Sequence, residues 1–165
     1  MDIESALRAE LTGRRVVVLG VGNAMRGDDG FGPAVAARLA GAVAAPVLDG
    51  GSAPENLAGV LRRAAPEVLL VLDAADFGGA PGELRLLAAN ELAAGGPSTH
   101  AASLAMLFDY LRAGCGAAGR VLAVQAGSVA MNEGLSAPVA QAAARAVDLL
   151  RNLLPKSTQG PGGVR

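Results

Sequence analysis

Short, unbroken apolar runs alternate along this chain with stretches whose apolar residues have helical spacing. The runs, rich in Val and Leu, predict β-strands at about residues 15–20, 47–48, 68–72, 83–87 and 121–124. Apolar positions three and four residues apart predict helices over 31–42, 53–64, 99–113 and 136–154. Residues 1–13 are interpreted as a short helix or a loose lead-in. Ser52 and Glu55 form a capping-box pattern at the start of a helix, and Pro155 ends the last one.

The order of these elements predicts the fold class. Strand–helix–strand–helix–strand favours parallel strands joined by right-handed crossovers, and the wholly apolar run 68–72 indicates a central strand. About eight residues separate Asp73 from the run 83–87, too few for a helical crossover, so that strand is expected to be antiparallel and near an edge. We therefore expect an α/β fold, a three-layer α/β/α sandwich around a twisted, mostly parallel five-stranded sheet with one antiparallel strand. Residues 1–155 are expected to form a single domain, with 89–98 as a loop and 156–165 as a disordered tail.

Composition narrows the range of partners. Hydrophobic residues make up 52% of the chain and charged residues 18%, which favours a packed core. A net charge of −1 and an aromatic content of 2% argue against nucleic acid and anionic membranes as partners. No apolar run reaches the ~18 residues of a membrane span, so we expect a cytoplasmic protein and, by default, a monomer. The single cysteine, Cys115, rules out an internal disulfide and is expected to lie unused in a turn after a helix.

The loop that follows the first strand, residues 20–32, carries several glycines and two adjacent carboxylates, Asp28 and Asp29. Glycine lets a strand stop abruptly with its backbone exposed, and Gly22 and Asn23 follow at the edge where open α/β sheets place their sites. An Asp just before a helix is often its N-cap. For Asp28 a capping role and a functional role are about equally favoured. For Asp29 a capping role is less favoured, because one helix needs only one cap.

Two further strands are expected to end in a carboxylate at the same edge of the sheet. Asp73 closes a fully apolar strand. Burying a carboxylate there costs free energy unless it is paired, forms a cap or takes part in function, so a functional role is favoured. Asp49 begins an Asp-Gly-Gly turn with Gly50, in which the carboxylate accepts hydrogen bonds from nearby amides. A structural role is therefore favoured for Asp49.

His100 is the only histidine in the chain, at a predicted helix opening with Ser98 or Thr99 as the candidate cap. The positive end of the helix dipole disfavours imidazolium, which leaves a neutral ring able to bind metal or act as a base. A solitary histidine is more often a surface or structural residue. With Asp29 and Asp73, however, it completes a set of two carboxylates and one imidazole, which suits a divalent metal and leaves positions open for substrate.

Several motifs together resemble the hydrogenase maturation endopeptidases. In chain order they are Gly20-Val21-Gly22-Asn23 with Gly27-Asp28-Asp29-Gly30-Phe31-Gly32, then Asp49-Gly50-Gly51, Leu72-Asp73-Ala74 and Thr99-His100. The resemblance runs from residue 15 to about residue 150, and its first motif and joint spacing are specific. The run 49–56 is similar to the branch of the family that serves the membrane hydrogenase of formate hydrogenlyase.

The resemblance implies an activity and a set of site residues. Members of this family remove a short C-terminal extension from the precursor of the large subunit of [NiFe] hydrogenase once nickel has been inserted, and that nickel is the recognition determinant. The family positions that contact nickel correspond to Asp29, Asp73 and His100, which are expected to be the catalytic and metal-contacting residues. Residues expected to bind substrate or to support the fold are Gly22, Asn23, Asp28, Asp49 and Gly50. The precursor supplies the nickel, and no organic cofactor is implied.

The chemistry leaves alternatives open. A water bound to the metal, or one activated by a carboxylate, would attack the peptide carbonyl. The same three residues could instead handle nickel without cleavage, as in a non-enzymatic maturation chaperone. A nucleotide-binding module is disfavoured, because the third glycine of its G-x-G-x-x-G motif would fall at Met25 and the Asp28–Asp29 pair would repel phosphate. An inactive family member and a hydrolase of unrelated specificity are weaker alternatives.

Overall fold

The computed structural model describes residues 1–92 and 99–157. Its helices are α1 (Ile3–Leu11), α2 (Phe31–Leu39), α3 (Ala58–Ala64), α4 (Ala89–Leu92), α5 (Ala101–Cys115) and α6 (Ala137–Leu153). Its strands are β1 (Val16–Gly20), β2 (Val47–Asp49), β3 (Val68–Ala75), β4 (Leu84–Ala88) and β5 (Ala118–Gln125). Two 3-10 turns, Gly27–Gly30 and Pro54–Leu57, directly precede α2 and α3.

The strands form one sheet in the order β2-β1-β3-β5-β4. β1 pairs in parallel with β2 and β3, and β3 pairs in parallel with β5. β4 runs antiparallel to β5 at the edge of the sheet. The predicted fold class is confirmed, including the antiparallel strand. The four parallel strands therefore end along one edge, and the loops that follow them meet there.

Helices cover both faces of the sheet, because successive side chains of each strand point to opposite sides. Val16 and Val18 of β1 pack in a cluster with α1, α2 and α6. Val17 and Leu19 of the same strand pack in a second cluster with α3, α4 and α5. These two clusters are the two interfaces between the three layers. Among the described residues, the helices are too short or too polar to cross a bilayer.

The central strand β3 is longer than its apolar run predicts. Asp73 does not end the strand, since Asp73, Ala74 and Ala75 continue the parallel pairing with the last three residues of β5. All eight residues of β3 are buried. The prediction stopped at the carboxylate because a buried, charged residue looks like a strand end when its neighbours are unknown. In the structure, strand pairing continues through it.

Two local predictions are wrong. The capping box at Ser52 and Glu55 does not form, since the 3-10 turn opens at Pro54 and α3 begins only at Ala58, with no side-chain cap on either. The predicted loop 89–98 begins instead with the helical turn α4, whose Glu91 carboxylate accepts a hydrogen bond from the Ala88 amide at 2.6 Å. Residues 93–98 of that loop, and residues 158–165 of the tail expected to be disordered, lie outside the described residues.

Candidate functional site

Three different parts of the chain bring Asp29, Asp73 and His100 together. Asp29 comes from the loop after β1, Asp73 from within β3, and His100 from the residue directly before α5. Each offers one ligand atom, and these three atoms all lie within 4.8 Å of one another. Asp29 is 8% exposed and Asp73 is fully buried. A divalent ion with ligand distances of about 2.0–2.2 Å fits among three such donors after small side-chain adjustments.

The backbone around Gly22 sets the position of Asp29. Gly22 has a φ of 137°, and a Cβ built there would overlap the carbonyl oxygen of Asp29. Its amide donates to the carbonyl of Gly51 at 2.8 Å, which joins the loops after β1 and β2. The next amide, that of Asn23, donates to Asp29 Oδ2 at 2.7 Å. Only glycine adopts this conformation at such close approach without strain, so Gly22 determines where the Asp29 carboxylate lies.

The buried Asp73 carboxylate pairs with the partly buried imidazole of His100. Nδ1 of His100 lies 3.4 Å from Oδ1 of Asp73, and the imidazole side chain is 12% exposed. The hydrogen bond to Asp73 raises the pKa of His100 above its ordinary value; burial lowers it by less, and the charges of Asp29 and Glu55 raise it further. The net effect favours the charged ring, in the opposite direction to the helix-dipole effect expected from the sequence.

The start of α5 also differs from the prediction. His100 itself is the N-cap residue, and its side chain makes no capping hydrogen bond. The Thr99 hydroxyl lies 3.4 Å from Nδ1 of His100, so Thr99 contacts the imidazole instead of capping the helix. Ser98, the other candidate cap, lies outside the described residues.

Asp28 joins two distant loops. It does not cap α2, whose N-cap is Gly30 with no side-chain bond. Its fully buried carboxylate accepts hydrogen bonds from the amides of Gly127, Ser128 and Ser136 at 2.7, 3.0 and 2.7 Å, and from the Ser136 hydroxyl at 2.9 Å. Burial alone raises the pKa of Asp28, but these four bonds outweigh it and the net pKa is lowered. The ionised carboxylate thus links the loop after β1 to the loop between β5 and α6.

Asp49 lies in a turn, as the Asp-Gly-Gly pattern predicts. Its Oδ1 accepts a hydrogen bond from the Gly51 amide at 2.9 Å, and the residue is exposed. The Gly50 amide donates to the carbonyl of Gly20 at 2.8 Å. These bonds shape the loop after β2 that contacts Gly22. The Asp49 carboxylate does not belong to the candidate metal-binding group of Asp29, Asp73 and His100.

Two neighbouring hollows flank these residues, and both are lined by Asp29, Thr99 and Val129. One, of about 240 Å³, is otherwise lined mainly by small residues: Ala74, Ala75, Asp76, Ala126, Gly127 and Ser128. The other, of about 250 Å³, is also lined by Asn23, Arg26, Ser52 and His100. We refer to these two hollows together as the cleft, which lies beside the candidate metal ligands.

Sequence reasoning missed Gln125, the last residue of β5. Its side chain is 6% exposed; it accepts hydrogen bonds from the amides of Phe77 and Gly79 at 2.9 and 3.1 Å and donates to Asp76 at 3.2 Å. It therefore fixes the turn after β3 at one side of the cleft. The signal was present, because Gln125 is a polar residue that follows a fully apolar run, as Asp73 does.

Cys115 takes no part in this site. It is the last residue of α5 rather than a turn residue, and its Sγ donates to the carbonyl of Leu111 at 3.2 Å. His100 precedes the first residue of the same helix, so about 15 residues at 1.5 Å each separate the two side chains by about 22 Å. The cysteine is too distant to act as a nucleophile at the site.

Comparison with known proteins identifies the family. The model of a family described as HycI, hydrogenase maturation protease, matches residues 33–153. The chain belongs to this family. The predicted family is therefore confirmed, and the matched range contains Asp73 and His100 but begins after Asp29.

Individual members of the family are similar to this chain. The hydrogenase 3 maturation protease of Escherichia coli K12 is 44% identical over 102 residues, which cover 58% of this chain and 64% of that protein, just under two thirds of its length. The crystal structure of a [NiFe] hydrogenase maturation protease HycI from Thermococcus kodakarensis KOD1 matches with a TM-score of 0.81 and 28% identity, covering 92% of this chain and 99% of that one. The solution structure of the endopeptidase HycI from Escherichia coli matches with a TM-score of 0.73 and 34% identity, covering 83% and 89%.

Proposed function

We propose that this protein is an endopeptidase that removes the C-terminal extension from the precursor of a [NiFe] hydrogenase large subunit after nickel has been inserted. The observation that carries this proposal is the convergence of Asp29, Asp73 and His100, with one ligand atom from each within 4.8 Å of the others, in a member of the hydrogenase maturation protease family. The 44% identity to a hydrogenase 3 maturation protease supports placement in the same branch. We further propose that the protein acts as a cytoplasmic monomer.

In this proposal nickel belongs to the substrate. The precursor presents the metal on its own cysteine thiolates, and the two carboxylates and the imidazole of the enzyme complete its coordination. The ring nitrogen of His100 that binds the metal must carry no proton, so metal binding competes with protonation of that nitrogen. Binding places the scissile peptide in the cleft, where a water activated by the nickel or by a carboxylate adds to its carbonyl.

The same arrangement explains how cleavage depends on nickel. Two aspartates and a histidine have little affinity for an ordinary peptide, but they are good ligands for a divalent metal with open coordination positions. A precursor without nickel then lacks the group that anchors it in the cleft. Cleavage thereby reports that the metal has been inserted.

The test is a processing assay with the purified protein and two forms of the precursor, nickel-loaded and nickel-free, followed by intact-mass spectrometry. We expect loss of the C-terminal extension from the nickel-loaded form alone. The Asp29→Asn variant should release nothing, whereas the control Asp49→Asn, which alters an exposed carboxylate outside the metal-ligating group, should keep most of the activity. Stable nickel binding with no change in precursor mass would contradict the proposal and favour a non-enzymatic chaperone.

A further inference from the structure

Arg26 is a cation beside the candidate metal ligands. It lines the hollow of about 250 Å³ that Asp29 and His100 also line. Its backbone is held by the loop after β1, since its amide donates to the carbonyl of Asn23 at 3.0 Å and its carbonyl accepts from the amide of Asp29 at 3.0 Å. These two bonds fix the backbone of Arg26 relative to that of Asp29, so the exposed Arg26 side chain starts from a defined point beside the hollow.

The guanidinium of Arg26 makes no ion pair or hydrogen bond within residues 1–92 and 99–157. The sequence of residues 93–98 contains no acidic side chain. Other arginines that line hollows do have acidic partners: Arg14 pairs with Glu10, Arg15 with Glu67 and Arg85 with Glu83. Arg26 thus differs from them in facing a hollow with its charge uncompensated.

We propose that Arg26 is a specificity-determining residue that binds a carboxylate side chain of the precursor close to its nickel-binding segment. A guanidinium presents a planar set of N–H donors that matches a carboxylate in a two-point contact. The occupant of this hollow also adds negative charge, because nickel reaches the site on thiolates and meets the two carboxylates of Asp29 and Asp73. A cation at the rim offsets the repulsion between these thiolates and carboxylates. It also selects a substrate that has an acidic residue within reach of the guanidinium. This inference rests on the proposed function, because the precursor is the partner that it assigns.

The expected effect is on binding and not on the chemical step. Arg26 does not belong to the group of candidate metal ligands, so its loss should raise KM and leave kcat unchanged. The contact is at an exposed rim, where one charge pair changes affinity by about fivefold at low salt and by less at high salt. Arg26→Lys keeps the charge but loses the two-point geometry, so it should have an intermediate KM.

The test measures kcat and KM for the nickel-loaded precursor with the wild type, Arg26→Gln and Arg26→Lys, together with the Kd by titration calorimetry. Arg38→Gln is a matched control, because it removes an exposed charge in the last turn of α2, away from the cleft. Each acidic residue near the nickel-binding cysteines of the precursor is then replaced by lysine. We expect one such substitution to reproduce the KM increase and to be rescued by Arg26→Glu in the enzyme.

The outcomes separate the two proposals. If the wild type cleaves the precursor but Arg26→Gln changes KM and Kd no more than Arg38→Gln does, the role of Arg26 is refuted and the proposed function stands. If the wild type cleaves nothing, the proposed function fails, and the Kd of Arg26→Gln still decides whether this guanidinium binds the precursor. An increase in KM that no acidic-residue substitution reproduces would refute a carboxylate as its partner.

Discussion

Replacing Asp28 with asparagine should destabilise the whole domain, although the two side chains have nearly the same shape. The carboxylate of Asp28 accepts four hydrogen bonds in a site with no solvent exposure, and Oδ1 accepts the amide of Ser136 while Oδ2 accepts the other three. An asparagine has one oxygen and one NH₂ group. In its better orientation the oxygen replaces Oδ2, and the NH₂ group then faces the Ser136 amide, so two donors oppose each other.

The structure sets the size of this effect. The Ser136 amide loses its acceptor, and an unsatisfied buried donor costs about 1–3 kcal/mol. The three remaining bonds change from a charged to a neutral acceptor, which removes several tenths of a kcal/mol from each. We therefore expect Asp28→Asn to lower the free energy of unfolding by about 3 kcal/mol. For a domain of this size that corresponds to a decrease in Tm of about 6–12 °C.

The assay is urea unfolding followed by circular dichroism, with calorimetry for Tm. Asp49→Asn is the matched control, since the exposed Asp49 carboxylate accepts a single bond from the Gly51 amide. It should change the free energy of unfolding by less than about 1 kcal/mol. If the free energy of unfolding of Asp28→Asn lies within about 0.5 kcal/mol of the wild-type value, the hydrogen bonds to the Asp28 carboxylate do not stabilise the fold.

Three further outcomes are expected. His100→Ala should abolish precursor processing and leave the far-ultraviolet circular dichroism spectrum unchanged; normal processing by this variant would exclude the imidazole from the reaction. Gly22→Ala should lower the free energy of unfolding in urea by about 3 kcal/mol, because the new Cβ combines a positive φ with overlap at the Asp29 carbonyl. The control Gly51→Ala has a φ of 53° but open space around the Cβ, so it should lower the free energy of unfolding by only about 1 kcal/mol. Because the pKa of Asp28 is lowered in the folded state, its carboxylate stabilises the fold fully above a pH of about 4, and this contribution is lost as the pH falls further. The difference in free energy of unfolding between the wild type and Asp28→Asn should therefore shrink in acid. A constant difference would contradict an ionised Asp28.

The sheet could be predicted from the sequence because its strands are encoded locally. The apolar runs of β1, β3 and β5 stand out, and the short connection after Asp73 is enough to predict an antiparallel edge strand. The length of β3 could not be predicted, because Asp73 continues the strand only through its pairing with β5. The same limit applies at Ser52, where local residues suggest a cap but the chain forms a 3-10 turn first.

The candidate metal ligands could be proposed from the sequence, because a carboxylate after an apolar run, two carboxylates in a glycine-rich loop and a single histidine before a helix are visible there. The structural contacts of Asp28 were not predictable, since its partners lie 99–108 residues further along the chain. The raised pKa of His100 results from its hydrogen bond to Asp73, which forms only in the folded chain. Arg26 gave no signal of its own, because an arginine in a loop has significance only when the hollow beside it is known.

The most direct test of the candidate metal site is a crystal structure of the protein soaked with nickel or with cadmium. We expect one ion bound by Asp29, Asp73 and His100 together, at about 2.0–2.5 Å from an atom of each, with at least one coordination position open to the cleft. Binding of the ion elsewhere, or side chains of these three residues that point to different surfaces, would contradict the central claim that they form one nickel-contacting site.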